Sequence, residues 1–352
     1  MKVAILIMSS GQLPSTANID AFKEYIAKDA LEMEKRGELK HTYDFFTYTF
    51  DAPDDIDNLG HTLTAVPSLE GRWKDLYIPL KGHLFPVPDW EFEYKESIYR
   101  TFEKTFEAFL YVATPRTYDV VLRINISSAL NIRVLDRLLE RFDTNKIYCC
   151  ALNSITEDIQ YSNVLYPRGD FIMMSHGLLE KLIPYMRKYM LCDGNRYDRN
   201  TIPHTDDCLI GASFYDYFRE SGENGKYYDR YEMLLYNFIP LAEKDFPPGF
   251  MGDSGYMRFM EAACNPLAVT SRIKTVPKGQ VSGWSWDWND YRKEDSKKIK
   301  VLGEIMRKRG FKRMEGDEFY RTVIIDKRSE RAKGAVAVGR TLVPLTWFMD
   351  NT

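Results

Sequence analysis

The stretch "HTDDCLIG", residues 204 to 211, sets two adjacent carboxylates, Asp206 and Asp207, at the head of an apolar run with helical spacing. Neighbouring like charges push one carboxyl pKa upward, which suits a general base that must take a proton from a hydroxyl near neutral pH. Two other roles fit the same residues. Asp or Thr ahead of a helix commonly satisfies free backbone amides, so the pair also reads as a helix cap. His204 with Asp206 makes an H-x-D that could hold a metal, and the matching activity is a metal-dependent hydrolase using His204, Asp206 and Asp207. A second stretch, "RINIS" at residues 123 to 127, closes an apolar run with Asn125 and Ser127 rather than with carboxylates. Neutral Asn and Ser oxygens are weak ligands for Mn²⁺ or Mg²⁺.

These residues need elements to position them. "KVAILIMSSGQ" is an apolar run ending in small polar residues, the pattern of a buried first strand whose carboxyl end opens onto a site. "IDAFKEYIAKDALEMEKRG" has helical spacing and stops at Gly37, and "TYDFFTYTFD" predicts a second strand. Strand, helix, strand implies a parallel pair with a right-handed crossover. Further on, "ESIYRTFEKTFEAFLYVA" predicts a long amphipathic helix before the strand "YDVVLRIN". "NIRVLDRLLERF" is a helix, "KIYCCALN" a strand, "GDFIMMSHGLLEKLIPYM" a strand turning into a helix capped at His176, and "DDCLIGASFYDYFRES" a helix. The alternation predicts an α/β fold with a mostly parallel, Rossmann-like central sheet flanked by helices, with sites at the strand carboxyl ends. Near residue 240 the composition changes to "FPPGFMG", a tryptophan cluster "GWSWDWND", a basic helix and a β-rich tail. Residues 1–240 are read as one domain and 241–352 as an α+β extension or cap completing the site.

Bulk composition narrows the function classes. The chain has 352 residues, 44% hydrophobic and 28% charged, with a net charge of -3. That length buries a sizeable core, and that charge gives no global attraction to nucleic acid or anionic lipid. Five cysteines, an odd number without CxxC spacing, predict reduced thiols rather than a disulfide framework or zinc cluster. No apolar run approaches the length that spans a bilayer, which sets the expectation of a cytoplasmic protein without an integral membrane segment.

From about residue 66 to 211 the order of pieces resembles the β-1,3-galactosyltransferase and fringe-like glycosyltransferases, which have the GT-A nucleotide-sugar fold. The matching stretches are "LEGRWKDLYIPL", "SIYRTFEKTFEAFLYV", "YDVVLRINISSALNIRVLDRLL", "YPRGDFIMMSHGLLEKL" and "TDDCLIG". The resemblance implies transfer of a sugar from a nucleotide-sugar donor, a UDP-sugar foremost, to a glycan or other hydroxyl acceptor with inversion. It places Asn125, Ile126 and Ser127 where the family has the aspartate triplet of its DxD motif, so a divalent metal is not expected to be essential. Asp206 and Asp207 fall on the family's two late acidic positions, with Asp207 the expected base. Ser9 and Ser10 fall where GT-A folds hold the nucleoside, and Arg100 at a family lysine position. Without a metal the leaving diphosphate needs cations. Arg272 and Lys274 are expected to bind it, with Arg123 orienting Asn125; a solvated basic loop is the other reading of "SRIKTVPKG". Gly169 and Asp170 occupy the acceptor-side turn, where Asp170 either bonds a sugar hydroxyl or serves as a turn aspartate. Trp284 and Trp286, at period two, either stack on a sugar ring or line the inner face of a sheet. A different class stays open beside these, a non-catalytic carbohydrate-binding protein on a degenerate transferase fold.

Overall fold

The computed structural model describes residues 1–9, 15–49, 63–78, 89–155, 164–191, 205–222, 227–238, 265, 267–272, 295–308, 316–326, 336–338 and 341–342. The first strand, β1 (Lys2–Met8), is buried from Val3 to Ile7, as expected of a strand covered on both faces. It lies in parallel between β2 (Thr42–Thr49) and β5 (Val120–Asn125). Beyond β2 come β4 (Trp73–Tyr77), parallel, and β3 (Thr64–Ser68), antiparallel. Beyond β5 come β10 (Phe171–Ser175), β7 (Ile147–Cys149), β11 (Tyr231–Leu234) and β14 (Ile324–Ile325). Among the described residues these strands form one nine-stranded sheet.

Side-chain alternation along β1 sorts the core into two layers. Ala4 and Leu6 face a cluster with Phe106 and Phe109 of α3 (Asp89–Ala113), Leu179 of α5 (His176–Leu191) and Phe214 of α6 (Asp206–Glu220). Val3, Ile5 and Ile7 face Phe22 of α1 (Ser15–Phe22), Met33 of α2 (Lys28–Lys35) and Leu302 of the helix Asp295–Lys308. A π-helical turn, Lys23–Ala27, joins α1 to α2. The run stops at Gly37, whose φ of 71° is the left-handed conformation that glycine adopts without steric cost. The α/β class with a mostly parallel central sheet between helix layers is the one the sequence predicts.

Three local expectations need correction. β10 is antiparallel to both β5 and β7, and the chain enters it from β9 (Leu165–Pro167), a strand of a different sheet, through residues 168–170. "KIYCCALN" is two strands: β7 joins the large sheet and β8 (Leu152–Ser154) pairs with β9 and with Val336–Val338. Ser175, rather than His176, caps α5, its Oγ accepting from Leu178 N at 3.1 Å.

Residues beyond 240 share sheets with those before it. β13 (Thr270–Arg272) lies between β12 (Tyr236–Phe238) and β6 (Ser128–Leu130), and β14 extends the large sheet beside β11. Cys149, Cys150 and Cys208 are buried free thiols. No helix of the described residues is long and apolar enough to cross a membrane.

Candidate active site

The carboxyl ends of β1 and β5 end level, Met8 opposite Asn125, and Ser9 follows with its amide on Tyr48 O at 3.2 Å. Because β10 runs backwards with Phe171 opposite Ile124, the turn that precedes it arrives at the same edge. The first turn of α6 and Arg272 of β13 complete the group. Segments separated by more than a hundred residues thus meet where an open α/β sheet carries its ligands.

Arg123 lies two residues before the carboxyl end of β5, and it is sealed. Its guanidinium donates to Asp206 Oδ2, to Gly169 O and, at 3.3 Å, to Met8 Sδ. The side chains of Arg123 and Asp206 are 1% and 4% exposed. Burial opposes the Arg123 charge, yet Asp206 outweighs it and raises the guanidinium pKa above its ordinary value. Thr105 of α3 donates to the same Asp206 oxygen at 2.9 Å. Since the Thr105 proton goes to the carboxylate, the Tyr48 hydroxyl, 3.1 Å from Thr105 Oγ1, is the donor of that contact. Burial pushes the Tyr48 phenol up to about 12. A buried pair of this kind holds position, because removing one partner strands the other charge at a cost of roughly 3–5 kcal/mol.

Asp207 stands differently. It is half-buried, with Oδ2 accepting from Gly169 N and Oδ1 from Cys208 N, both at 3.0 Å. Burial, and next the Asp206 charge, raise its pKa above the ordinary carboxylate value. Gly169 therefore touches both partners, its carbonyl on Arg123 and its amide on Asp207. A Cβ there would lie 2.6 Å from Arg123 Nη1, so the backbone approach requires glycine. Thr205 precedes α6 without a side-chain cap bond, and the two aspartates occupy the first turn, where the helix dipole favours negative charge.

Asp170, 3% exposed, is clamped between two arginines. Arg168 Nε donates to Oδ2 at 2.5 Å and Arg272 Nη1 lies 3.1 Å from Oδ1. Burial works against its charge, but Arg272 and then Arg168 prevail and hold its pKa below the ordinary value. Arg272 also reaches Ser128 Oγ at 3.4 Å, its register partner across β6 and β13.

Of the residues singled out in the sequence, Ser9, Arg123, Asn125, Ser127, Gly169, Asp170, Asp206, Asp207 and Arg272 share this edge. Arg123 sits beneath the surface on Asp206 and Gly169. Asp206 is engaged by the Arg123 guanidinium. The side chain of Arg100 in α3, and Ser10, His204, Lys274, Trp284 and Trp286, lie outside the described residues. Sequence reading missed Thr105, Tyr48, Arg168 and Lys104, whose Nζ donates to Ser9 O at 2.6 Å. Lys104 follows Arg100 by one helical turn and Arg168 adjoins the Gly169 turn, so spacing offered a signal for both. Nothing in the sequence ties Thr105 or Tyr48 to Asp206.

Among the described residues at this edge, the donor set does not fit a resident divalent metal. Asn125 and Ser127 offer neutral oxygens, and Asp206 and Asp170 are already neutralised by arginines. Among the described residues no three His, Cys, Asp or Glu side chains are grouped to hold an ion. Asn125 Oδ1 is buried and has no hydrogen-bond partner among the described residues.

No family model matches the chain, and no curated protein does. Among solved structures, the glycosyltransferase GlyE of Streptococcus pneumoniae TIGR4 is similar at 11% identity and a TM-score of 0.37, over 88% of this chain and 63% of its own. The chain thus spans less than two thirds of GlyE. The galactosyltransferase LgtC, in complex with donor and acceptor sugar analogs, is similar at 11% identity and a TM-score of 0.41, over 86% of this chain and 96% of its own.

Proposed function

We propose that the chain is a GT-A-type glycosyltransferase that moves a sugar from a nucleotide-sugar, a UDP-sugar foremost, to a hydroxyl of a glycan acceptor. The observation that carries the reading is the division of labour between neighbours. Asp206 is neutralised and immobilised by Arg123, while Asp207, held by two backbone amides, has a carboxyl pKa raised toward the range where a general base works. In the transfer, Asp207 takes the acceptor proton as the acceptor oxygen bonds to the anomeric carbon. The bond from that carbon to the diphosphate oxygen breaks, and the diphosphate leaves with the electron pair. One displacement inverts the anomeric centre.

The order of sequence pieces that resembles the fringe-like families supports this reading, because four of its five segments contribute Thr105, Arg123, Gly169 and Asp207 to the site. Asn125, with its unpartnered oxygen, and Ser9 are the proposed donor contacts, and Gly169 with Asp170 borders the acceptor side. The neutral oxygens of Asn125 and Ser127 favour a reaction in which protein cations, rather than a resident metal, meet the diphosphate. Calorimetric titration with UDP, GDP, dTDP and CMP, each with Mn²⁺ and with EDTA, tests the reading. Binding of one nucleotide that survives EDTA is expected. Failure of all of them to bind, under both conditions, would remove the donor and favour a glycan-binding protein.

A further inference from the structure

The chain from β9 into the Gly169 turn grips the first turn of α6 at two places. At one end the Gly169 amide donates to Asp207 Oδ2 at 3.0 Å. At the other, Tyr166 of β9 lies against Gly211 of α6, where a Cβ would stand 2.6 Å from the Tyr166 Cα and 3.1 Å from Leu165 O. A side chain at 211 would force strand and helix apart, so α6 is seated on β9 at backbone distance. β9 is fixed in turn by two phenols: Leu165 N donates to the Tyr227 hydroxyl at 3.3 Å, and the Tyr231 hydroxyl donates to Leu165 O at 3.2 Å. From its place beside Gly211 the Tyr166 side chain runs back toward the amino end of α6. Its hydroxyl donates to the Cys208 sulfur and accepts from the side-chain amide of Asn153, its register partner on β8. The reaction scheme above gives this residue no part.

The structure assigns Tyr166, tied to Asn153 and Cys208, as the residue that positions Asp207. That Asp207 acts as a base rests on the glycosyltransferase reading; that Tyr166 sets its place does not. Asp207 accepts from two amides, those of Cys208 and Gly169. Tyr166 holds the first residue through its hydroxyl and shares a short segment with the second, so one side chain governs both contacts. Burial, then Cys208 and Asp207, push the Tyr166 phenol up, so it keeps its proton and stays a donor. The groups that face Asp207 are Asp206 and Cys208 of its own helix, Thr205 before it, Arg123 of β5, Tyr166 of β9 and the Gly169 amide. Burial and Asp206 raise its pKa, while Thr205, Arg123 and the Gly169 amide pull the other way. Loss of the Tyr166 tie frees the first turn to shift and admits water, which weakens the largest of these influences.

The test is denaturant unfolding of wild type, Tyr166→Phe, Asp207→Asn and the double variant across pH 2 to 8, about the span in which carboxylates titrate. Phenylalanine keeps the ring and its packing, and removes only the hydroxyl. Asp207 contributes stability below its unfolded pKa, and that contribution is lost as pH rises through its raised folded pKa. Tyr166→Phe is expected to make this loss smaller, because the folded pKa returns toward its ordinary value, and to leave the slope unchanged when Asp207 is already Asn. Nucleotide release from UDP-sugars in EDTA should fall by about 10- to 100-fold in Tyr166→Phe, the scale of a misplaced catalytic group, with UDP affinity retained. An unchanged slope, whatever the loss of stability, or a slope change that persists without Asp207, would overturn the assignment and leave the glycosyltransferase reading in place. A slope change that requires Asp207, in a protein that neither binds UDP nor releases it from UDP-sugars, would support the placement and remove the role as base.

Discussion

Arg123 of β5 and Asp206 of α6, 83 residues apart in the chain, form an ion pair beneath the sheet edge with almost no solvent on either side chain. Gly169 and Thr105 complete the arrangement, so one buried guanidinium and one buried carboxylate fix β5, the β9–β10 turn, α3 and α6 relative to one another. The neighbouring Asp207 inherits its place from this anchor.

The two aspartates should therefore fail differently. Asp206→Asn strands Arg123 in the interior, and the expected loss is on the order of 3–5 kcal/mol of stability, seen as a large fall in Tm. Asp207→Asn should leave Tm near or above wild type while removing turnover. Thermal unfolding and a transfer assay on both variants check this; equal Tm values would contradict the assigned roles.

Opposite pKa shifts in one site give a pH signature. Asp207 has a folded pKa above its unfolded value, so its contribution is fully present below the unfolded pKa, about 3.9, and is lost as pH rises through the folded pKa. Asp170 has a folded pKa below its unfolded value; its contribution is present above about 3.9 and is lost as pH falls through the folded pKa. Asp207→Asn should flatten stability on the alkaline side of that value and Asp170→Asn on the acid side. Denaturant unfolding across pH 2 to 8, about the span in which carboxylates titrate, measures both slopes.

Gly169→Ala is predicted to cost about 1–3 kcal/mol, since the new methyl lies within van der Waals overlap of Arg123 and overpacking cannot be relieved by a guanidinium bonded on several sides. It should also lower turnover by displacing the amide that holds Asp207. A variant with wild-type Tm and rate would show that the close approach is not needed.

Much of this was legible in the residues. The apolar run of β1, the helical spacing around Phe106 and the helical run that opens with the two aspartates of α6 follow from periodicity, which is why the α/β class emerges from sequence. The reversed direction of β10 did not, because its buried run reads the same either way and its sense is defined only by its long-range pairing with β5. Arg123 looked like a ligand-facing cation for a similar reason: alternation tells that a strand residue points to one face, but not that an aspartate 83 residues later lies across from it. The pairing of Arg168 with Arg272 through Asp170 depends on β13 reaching β6, a long-range contact with no local signal.

The central claim is that Asp207 is the base of a sugar transfer in which no resident metal takes part. Nucleotide release from UDP-sugars in the presence of EDTA, with a glycan acceptor and with wild type and Asp207→Asn in parallel, tests it most directly. The account predicts release by wild type that persists in EDTA and falls by about 10²–10⁴-fold in Asp207→Asn, with UDP affinity unchanged. Release abolished by EDTA, or an Asp207→Asn variant that works at the wild-type rate, would contradict it.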